Sequence, residues 1–285
     1  MVDLVFPLSN NNDVKYIMQG GVTSTKSKIT LGGTANVAFW ISKLGCNSAF
    51  IGKIGNDCFG NYIKKDLRVN KIKDGLAISS EYNTGLVIVL VLPTKERFFI
   101  VDRGANIDLK MQDVNFDFCL NSKYLYICGY SFQDKITKET VQKVIKEATS
   151  NGVNIVFNPA TPNLCKKYKN EFLDIIKNYV DLLVLNEREG KELVGDSGEK
   201  AVEDLLDYGA RIVAWTMGAK GSIIGNKKDR FRIKASKVKV VDTTGAGDAY
   251  ASAVIVGLDK GWNIPKIGEF ASKAAGEIVG RLGAR

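Results

Sequence analysis

Late in the chain, Asp242-Thr243-Thr244-Gly245-Ala246-Gly247-Asp248 sets two glycines between two acids. The apolar stretch Val238–Val241 before it reads as a strand, and the run from Ala249 to Leu258 reads as a helix. Two glycines let the N–H groups of 245–247 turn toward one point, and a helix start adds partial positive charge there. Such a bend cradles an anion. Asp248 then stands in the first helical turn beside that anion. A carboxylate there can accept a proton from an attacking hydroxyl, while the amides offset charge on a transferring phosphoryl group. Taken alone, a glycine-rich turn capped by Asp248 accounts for the same letters.

The chain of 285 residues contains no histidine. That removes Ser-His-Asp triads, Cys-His pairs and HExxH zinc sites, so any base is Asp, Glu, Lys, Tyr or Cys. The net charge of +9 suits anionic substrates, or simply a solvated basic surface. The basic residues are scattered, with no Lys/Arg run of five and no finger spacing, so no nucleic-acid partner is expected. Five cysteines, none in a CxxC pair, argue for reduced thiols in a cytoplasmic protein. The N-terminus lacks a signal-like segment. The longest apolar stretch, Gly85 to Pro93, is far too short to span a membrane.

These residues need elements to position them. From about residue 120 onward, apolar runs alternate with amphipathic ones. Strands are expected at Tyr124–Cys128, Ile155–Phe157, Asp181–Leu185 and Arg211–Thr216. Helices are expected at Lys138–Ser150, Glu171–Lys177, Glu189–Leu193 and Lys200–Tyr208, the last stopped by Gly209. This order predicts a mostly parallel sheet with helices on both faces. Asn36–Leu44 reads as a helix ended by Gly45. Leu4–Phe6, Tyr16–Met18 and Lys28–Leu31 read as short β pieces, and Thr84–Leu92 with Arg97–Val101 as a hairpin around Pro93–Glu96. These early strands are expected to form a small projecting sheet.

The segment Asp242–Asp248 closely resembles a signature of the ribokinase-like (PfkB) carbohydrate kinase family. A second signature of that family is matched by Gly32-Gly33-Thr34-Ala35-Asn36-Val37-Ala38, then Leu44-Gly45, then Ile51 to Gly60. The resemblance covers nearly the whole chain. It implies one three-layer α/β/α domain over 1–285, with a small β lid from segments about 3–31 and 76–104. It also implies an ATP-dependent kinase acting on a hydroxyl of a sugar or sugar derivative. A nucleoside kinase of the same family and a catalytically silent sugar- or nucleotide-binding homologue are the alternatives.

Carried over residue by residue, Asp248 is the catalytic base, and the amides of Gly245, Ala246 and Gly247 form the anion hole. Asn186-Glu187-Arg188-Glu189 looks like the family's N-x-x-E motif, so Asn186 and Glu189 would organise Mg²⁺ and phosphate, Glu189 through water. The same pair also spells an N-cap with its N3 glutamate. Thr216, Gly218, Lys220 and Gly221 resemble the nucleotide-side loop. Asp3, Gly32, Gly33, Asn36, Arg103 and Asn106 match the substrate side, and Arg103 would favour a substrate with a negative group. Asn158-Pro159-Ala160 is given a minor substrate-side role. The lid would exclude water and offer a homodimer contact.

Two departures stand out. The family's usual first strand, central in the sheet, has no counterpart ahead of Asp3. Relatives also continue past Arg285 with a stretch that helps shape the adenine pocket and, in some members, a monovalent-cation site. Gly20–Ser27 nearly spells a P-loop, but Thr25 replaces its second glycine, and it is read as a lid loop.

Overall fold

A computed structural model describes all residues except 11–14, 16, 18, 23, 25, 95, 96 and 282. In chain order the first part holds β1 (Val2–Pro7), β2 (Lys28–Leu31), α1 (Ala35–Lys43), β3 (Ala49–Gly55), α2 (Cys58–Val69), β4 (Lys73–Ser79), β5 (Leu86–Val91) and β6 (Arg97–Asp102). There follow α3 (Phe116–Leu120), β7 (Tyr124–Cys128), α4 (Lys135–Ser150), β8 (Asn154–Asn158), α5 (Pro162–Lys167), α6 (Lys169–Tyr179) and β9 (Val180–Asn186). The chain then forms α7 (Glu187–Val194), α8 (Gly198–Tyr208), β10 (Ile212–Thr216), β11 (Ser222–Gly225), β12 (Arg230–Ile233), α9 (Ala246–Asp259) and α10 (Ile264–Val279).

The main sheet has the strand order β12-β11-β10-β9-β8-β7. β7 to β10 run parallel, and β11 and β12 return antiparallel. Parallel strands are covered on both faces and read as continuous apolar runs. β9 shows why. Leu183 and Leu185 pack with Phe172, Ile176 and Leu205 on one face. Leu182 and Val184 pack with Val254, Ile267 and Ala271 on the other. Each such side chain contributes about 1.5–3 kcal/mol of burial free energy. The result is the three-layer α/β/α arrangement, with α4 to α8 on one side and α1, α9 and α10 on the other. Among the described residues no helix is long and apolar enough to cross a membrane.

The lid is a separate sheet, in the order β2-β1-β5-β6. It joins the two expected segments through the parallel pair β1–β5. The expected hairpin is the antiparallel pair β5–β6; Lys95 and Glu96 of its turn lie outside the described residues. So do Tyr16 and Met18 of the third expected β piece, and Thr23 and Thr25 of the P-loop-like stretch. β4 pairs with β3, not with the lid.

The pair β3–β4 forms no ladder with the main sheet. Between β3 and β7 lies a cleft of about 620 Å³, lined by Val37 and Ile41 of α1, Phe50 and Ile51 of β3, and Tyr126 and Ile127 of β7.

The expected strand Val238–Val241 is not formed. Val238 and Val240 are exposed, and the N–H groups of Val241 and Asp242 donate to Val279 O at 2.8 and 3.3 Å, at the end of α10. β-branched composition imitated a strand where, among the described residues, no strand pairs with it.

Candidate active site

Cys128, Asn158, Asn186 and Thr216 end the parallel strands β7 to β10 along one edge of the sheet. Ligands enter open α/β sheets at such an edge. α9 is tied to the same edge, since the Tyr250 hydroxyl donates to Ser222 Oγ at 2.8 Å.

Asp242 organises the glycine bend. Its Oδ1 accepts from Thr244 N–H at 2.9 Å and from Thr244 Oγ1 at 2.7 Å. Its Oδ2 accepts from Gly283 N–H at 3.0 Å, and Arg97 of the lid forms an ion pair with Oδ1. Burial would raise this carboxyl, but the bonds from Thr244 and Gly283 and the Arg97 charge hold it below the usual range. Gly245 follows with φ +76° and lies so close to Ala284 that a Cβ would come 2.7 Å from the Ala284 Cα. Both facts demand glycine. The N–H of Ala246 reaches back to Thr243 O at 3.3 Å. Gly247 opens onto free space, with nothing within 4 Å of a Cβ built there.

Asp248 sits in the first turn of α9, and its Oδ2 accepts from Asn36 Nδ2 at 3.0 Å. Burial pushes its pKa up to about 6, opposed by the Asn36 hydrogen bond and the Arg285 charge. Its carbonyl accepts from Ser252 Oγ at 2.7 Å, and the same hydroxyl contacts Val37 O at 3.1 Å, fastening α9 to α1. Asp3 on β1 fills the space where Gly32 would carry a Cβ, so the two are in direct contact. Burial raises the Asp3 carboxyl to about 6 as well. Gly33 takes φ +63°, the turn that leads into α1 and Asn36. Asp3 thus meets Gly32 and Asn36 meets Asp248, and the Arg285 charge reaches both carboxylates.

Arg103 and Asn106 do not offer free groups to this cluster. Arg103 is paired with Asp134, and it donates to Gln133 Oε1 at 2.8 Å and to Tyr130 O at 3.2 Å. The anion-reading role expected of it meets a guanidinium already engaged. Asn106 donates to Arg103 O at 2.8 Å and accepts from Thr137 at 2.7 Å, which shapes a turn. Asn158 is likewise engaged, donating to Val184 O at 2.9 Å. The sequence reading missed Arg285. Its Nε donates to Asn36 Oδ1 at 2.8 Å and its Nη1 to Asp66 Oδ2 at 2.6 Å. A lone arginine after a Gly-Ala pair carries no pattern by which to find it.

Asn186 and Glu189 form a closed capping box. Asn186 Oδ1 accepts from the N–H groups of Arg188 and Glu189 at 2.9 and 3.0 Å. Glu189 accepts from Asn186 N–H at 3.0 Å and from Asn186 Nδ2 at 2.6 Å. Burial lifts the Glu189 carboxyl to about 7 against those bonds. Gly190 lies flat against the Trp215 ring, which fixes α7 on β10. Thr216 accompanies Asn186 in the β9–β10 register. In the next turn Gly218 takes φ +58° and opens onto free space, Gly221 lies against Ile233 O, and Lys220 is exposed. Between the two halves stand Tyr126, Cys128 and Tyr130. Burial raises all three, and the charges of Asp248 and Glu189 reach each of them.

Among the described residues no group of three or more His, Cys, Asp or Glu could cage a metal ion. One carboxylate at a strand end fits Mg²⁺ only as an outer partner, which suits an ion that keeps much of its water and binds substrate phosphates.

Residues 11–285 match the family model described as pfkB family carbohydrate kinase. A 5-dehydro-2-deoxygluconokinase from Bacillus licheniformis is 30% identical over 95% of this chain and 86% of that protein. The crystal structure of an adenosine kinase from Sinorhizobium meliloti superposes with a TM-score of 0.89 at 24% identity, over 100% of this chain and 93% of that one. A putative ribokinase II from E. coli, in complex with ATP and Mg²⁺, superposes with 0.85 at 21%, over 99% and 92%. Two signatures, one fold and one cluster around Asp248 converge with these likenesses: the chain belongs to the pfkB family of carbohydrate kinases.

Proposed function

We propose that this chain transfers the terminal phosphoryl group of ATP to a hydroxyl of a sugar or sugar acid, with Asp248 as the base. The observation that carries this reading is the half-buried Asp248 carboxylate, held by Asn36 in the first turn of α9 beside the Gly245–Gly247 bend. With its pKa near 6 the carboxylate is ionised at neutral pH yet basic enough to take a proton. The acceptor hydroxyl gives its proton to Asp248 as its oxygen attacks the terminal phosphorus of ATP, the bond from that phosphorus to the bridging oxygen breaks and ADP leaves, while the amides of Gly245 and Gly247 offset the charge on the group in transit. Asp3, the Gly32–Gly33 backbone and Asn36 orient the acceptor. Thr216, Gly218, Lys220 and Gly221 border the nucleotide. Asn186 and Glu189 would orient the waters of a bound Mg²⁺, which neutralises phosphate charge. The lid excludes water, which competes as acceptor.

The lid strand β6 exposes Phe98, Phe99, Ile100 and Val101 in succession. Such a patch suits self-association through the lid, and five unpaired cysteines suit the cytoplasm. Sedimentation of Phe99→Glu against the parent chain tests the first.

Turnover of a panel of sugars, sugar acids and nucleosides with Mg-ATP tests the activity. At least one sugar or sugar acid is expected to be phosphorylated, and Asp248→Asn is expected to lower kcat by about 10²–10⁴ while ligand-induced thermal shifts persist. Unchanged turnover in that variant removes Asp248 from the chemistry, and a preference for nucleosides moves the substrate class.

A further inference from the structure

The two ends of the Asn36 amide are used differently. Nδ2 donates to Asp248 Oδ2 at 3.0 Å, and Oδ1 accepts from Arg285 Nε at 2.8 Å. A carboxamide turned over by half a rotation exchanges its acceptor for its donors. Turned over here, Oδ1 would face the Asp248 carboxylate and the NH₂ group would face a guanidinium. Both contacts would then be repulsive.

The guanidinium that enforces this choice is itself fixed. Its Nη1 donates to Asp66 Oδ2 at 2.6 Å, and it lies over the Phe39 ring at 5.0 Å. The backbone leading to it is anchored twice. Trp40 Nε1 donates to Ala284 O at 3.2 Å, and Gly283 N–H donates to Asp242 at 3.0 Å. Among the described residues its Nη2 is buried without a partner, a cost that a merely structural ion pair to Asp66 does not require.

We infer that Arg285 is a positioning residue: it locks the Asn36 amide so that a donor always faces Asp248, keeping that carboxylate in one orientation and in its ionised form. The inference rests on Asp248 being the base. The other groups that face Asp248 are Tyr126 and Cys128 from β7 and Tyr130 from the turn after it. Burial keeps all three neutral at neutral pH, so none replaces Arg285 as a source of positive charge.

Carboxyl carbon NMR of the ligand-free full chain, labelled at aspartate, reads this without turnover. Arg285→Met is expected to raise the Asp248 titration midpoint by about one pH unit. The same substitution in an Asn36→Ala background is expected to shift it by less than half as much, because the amide that transmits the effect is gone. With an accepted substrate, the acid limb of kcat follows the shift while KM for the nucleotide stays. An unchanged midpoint overturns the inference. So does an equal shift in both backgrounds, which would assign the effect to charge alone. If Arg285→Met does not fold, Arg285→Lys keeps the charge opposite Asp66 but has no Nε beside Asn36; a raised midpoint supports the lock and an unchanged one overturns it. Absence of any kinase activity would sink the proposed function, yet leave this titration readable.

Discussion

Arg97, the first residue of lid strand β6, forms an ion pair with Asp242, the first residue of the glycine bend 145 positions later. The same carboxylate holds Thr244 and Gly283. Lid position and bend shape therefore share one group. Asp242 is 7% exposed and Arg97 25%. Loss of the guanidinium leaves a nearly buried charge with fewer partners, which costs about 1–3 kcal/mol. Arg97→Met should lower kcat/KM for the acceptor about tenfold, the equivalent of 1.36 kcal/mol. A looser lid should also admit water and raise ATP hydrolysis without acceptor. Steady-state kinetics with and without sugar check this; unaltered values would uncouple lid from bend.

Three acids near the sheet edge predict an inverted pH dependence for the ligand-free protein. Burial raises Asp3 and Asp248 to about 6 and Glu189 to about 7. Between their unfolded values near 4 and these folded values, the native state binds more protons than the unfolded chain. Stability then falls as pH rises through this window. The penalty is absent below about pH 4 and complete above about pH 7, and each acid contributes a few kcal/mol at most. Tm of the ligand-free protein should drop between pH 5 and 7.5. Asp248→Asn, which cannot ionise, should flatten part of that drop. Activity runs the other way, since only ionised Asp248 accepts a proton: kcat/KM should fall as pH drops through 6.

Gly190 meets the face of Trp215 with no room for a methyl group. Gly190→Ala pushes α7 off β10 and costs about 1–3 kcal/mol of overpacking. Because α7 begins with the Asn186–Glu189 box, nucleotide affinity should fall along with Tm. Calorimetry and nucleotide titration of the variant check both. Loss of stability with intact affinity would separate the box from nucleotide binding.

Much of this architecture was legible in local pattern. The parallel strands β7 to β10 and several of their helices showed because parallel strands are apolar throughout and those helices are amphipathic, whereas the antiparallel strands β11 and β12 and the helices α5 and α10 were not read. Gly45 and Gly209 marked helix ends through φ +89° and +144°. The capping box at Asn186 was written in its spacing. Contacts between distant segments were not legible. Val238–Val241 has strand composition but, among the described residues, no partner strand. Arg103 looked free until Asp134 and Gln133 came beside it. Arg285 gains meaning only from Asn36 and Asp66, which lie 249 and 219 residues away in sequence.

The separation of β3 from β7 has a measurable consequence. β3 pairs only with β4, and β7 only with β8, among the described residues. Each strand therefore turns one edge of alternate N–H and C=O groups toward the cleft. β8 and β9, by contrast, are bonded on both sides. Amides protected only by local opening exchange far faster than those in a two-sided ladder. Hydrogen exchange of the ligand-free chain should show alternate amides of Tyr124–Cys128 and Ala49–Gly55 exchanging well before those of Ile155–Phe157 and Leu182–Leu185. A 1 kcal/mol difference in opening free energy corresponds to about fivefold in rate, so one or two such increments suffice for detection. Uniform protection across β3, β7, β8 and β9 would mean that the two edges are bridged in solution and the cleft is closed.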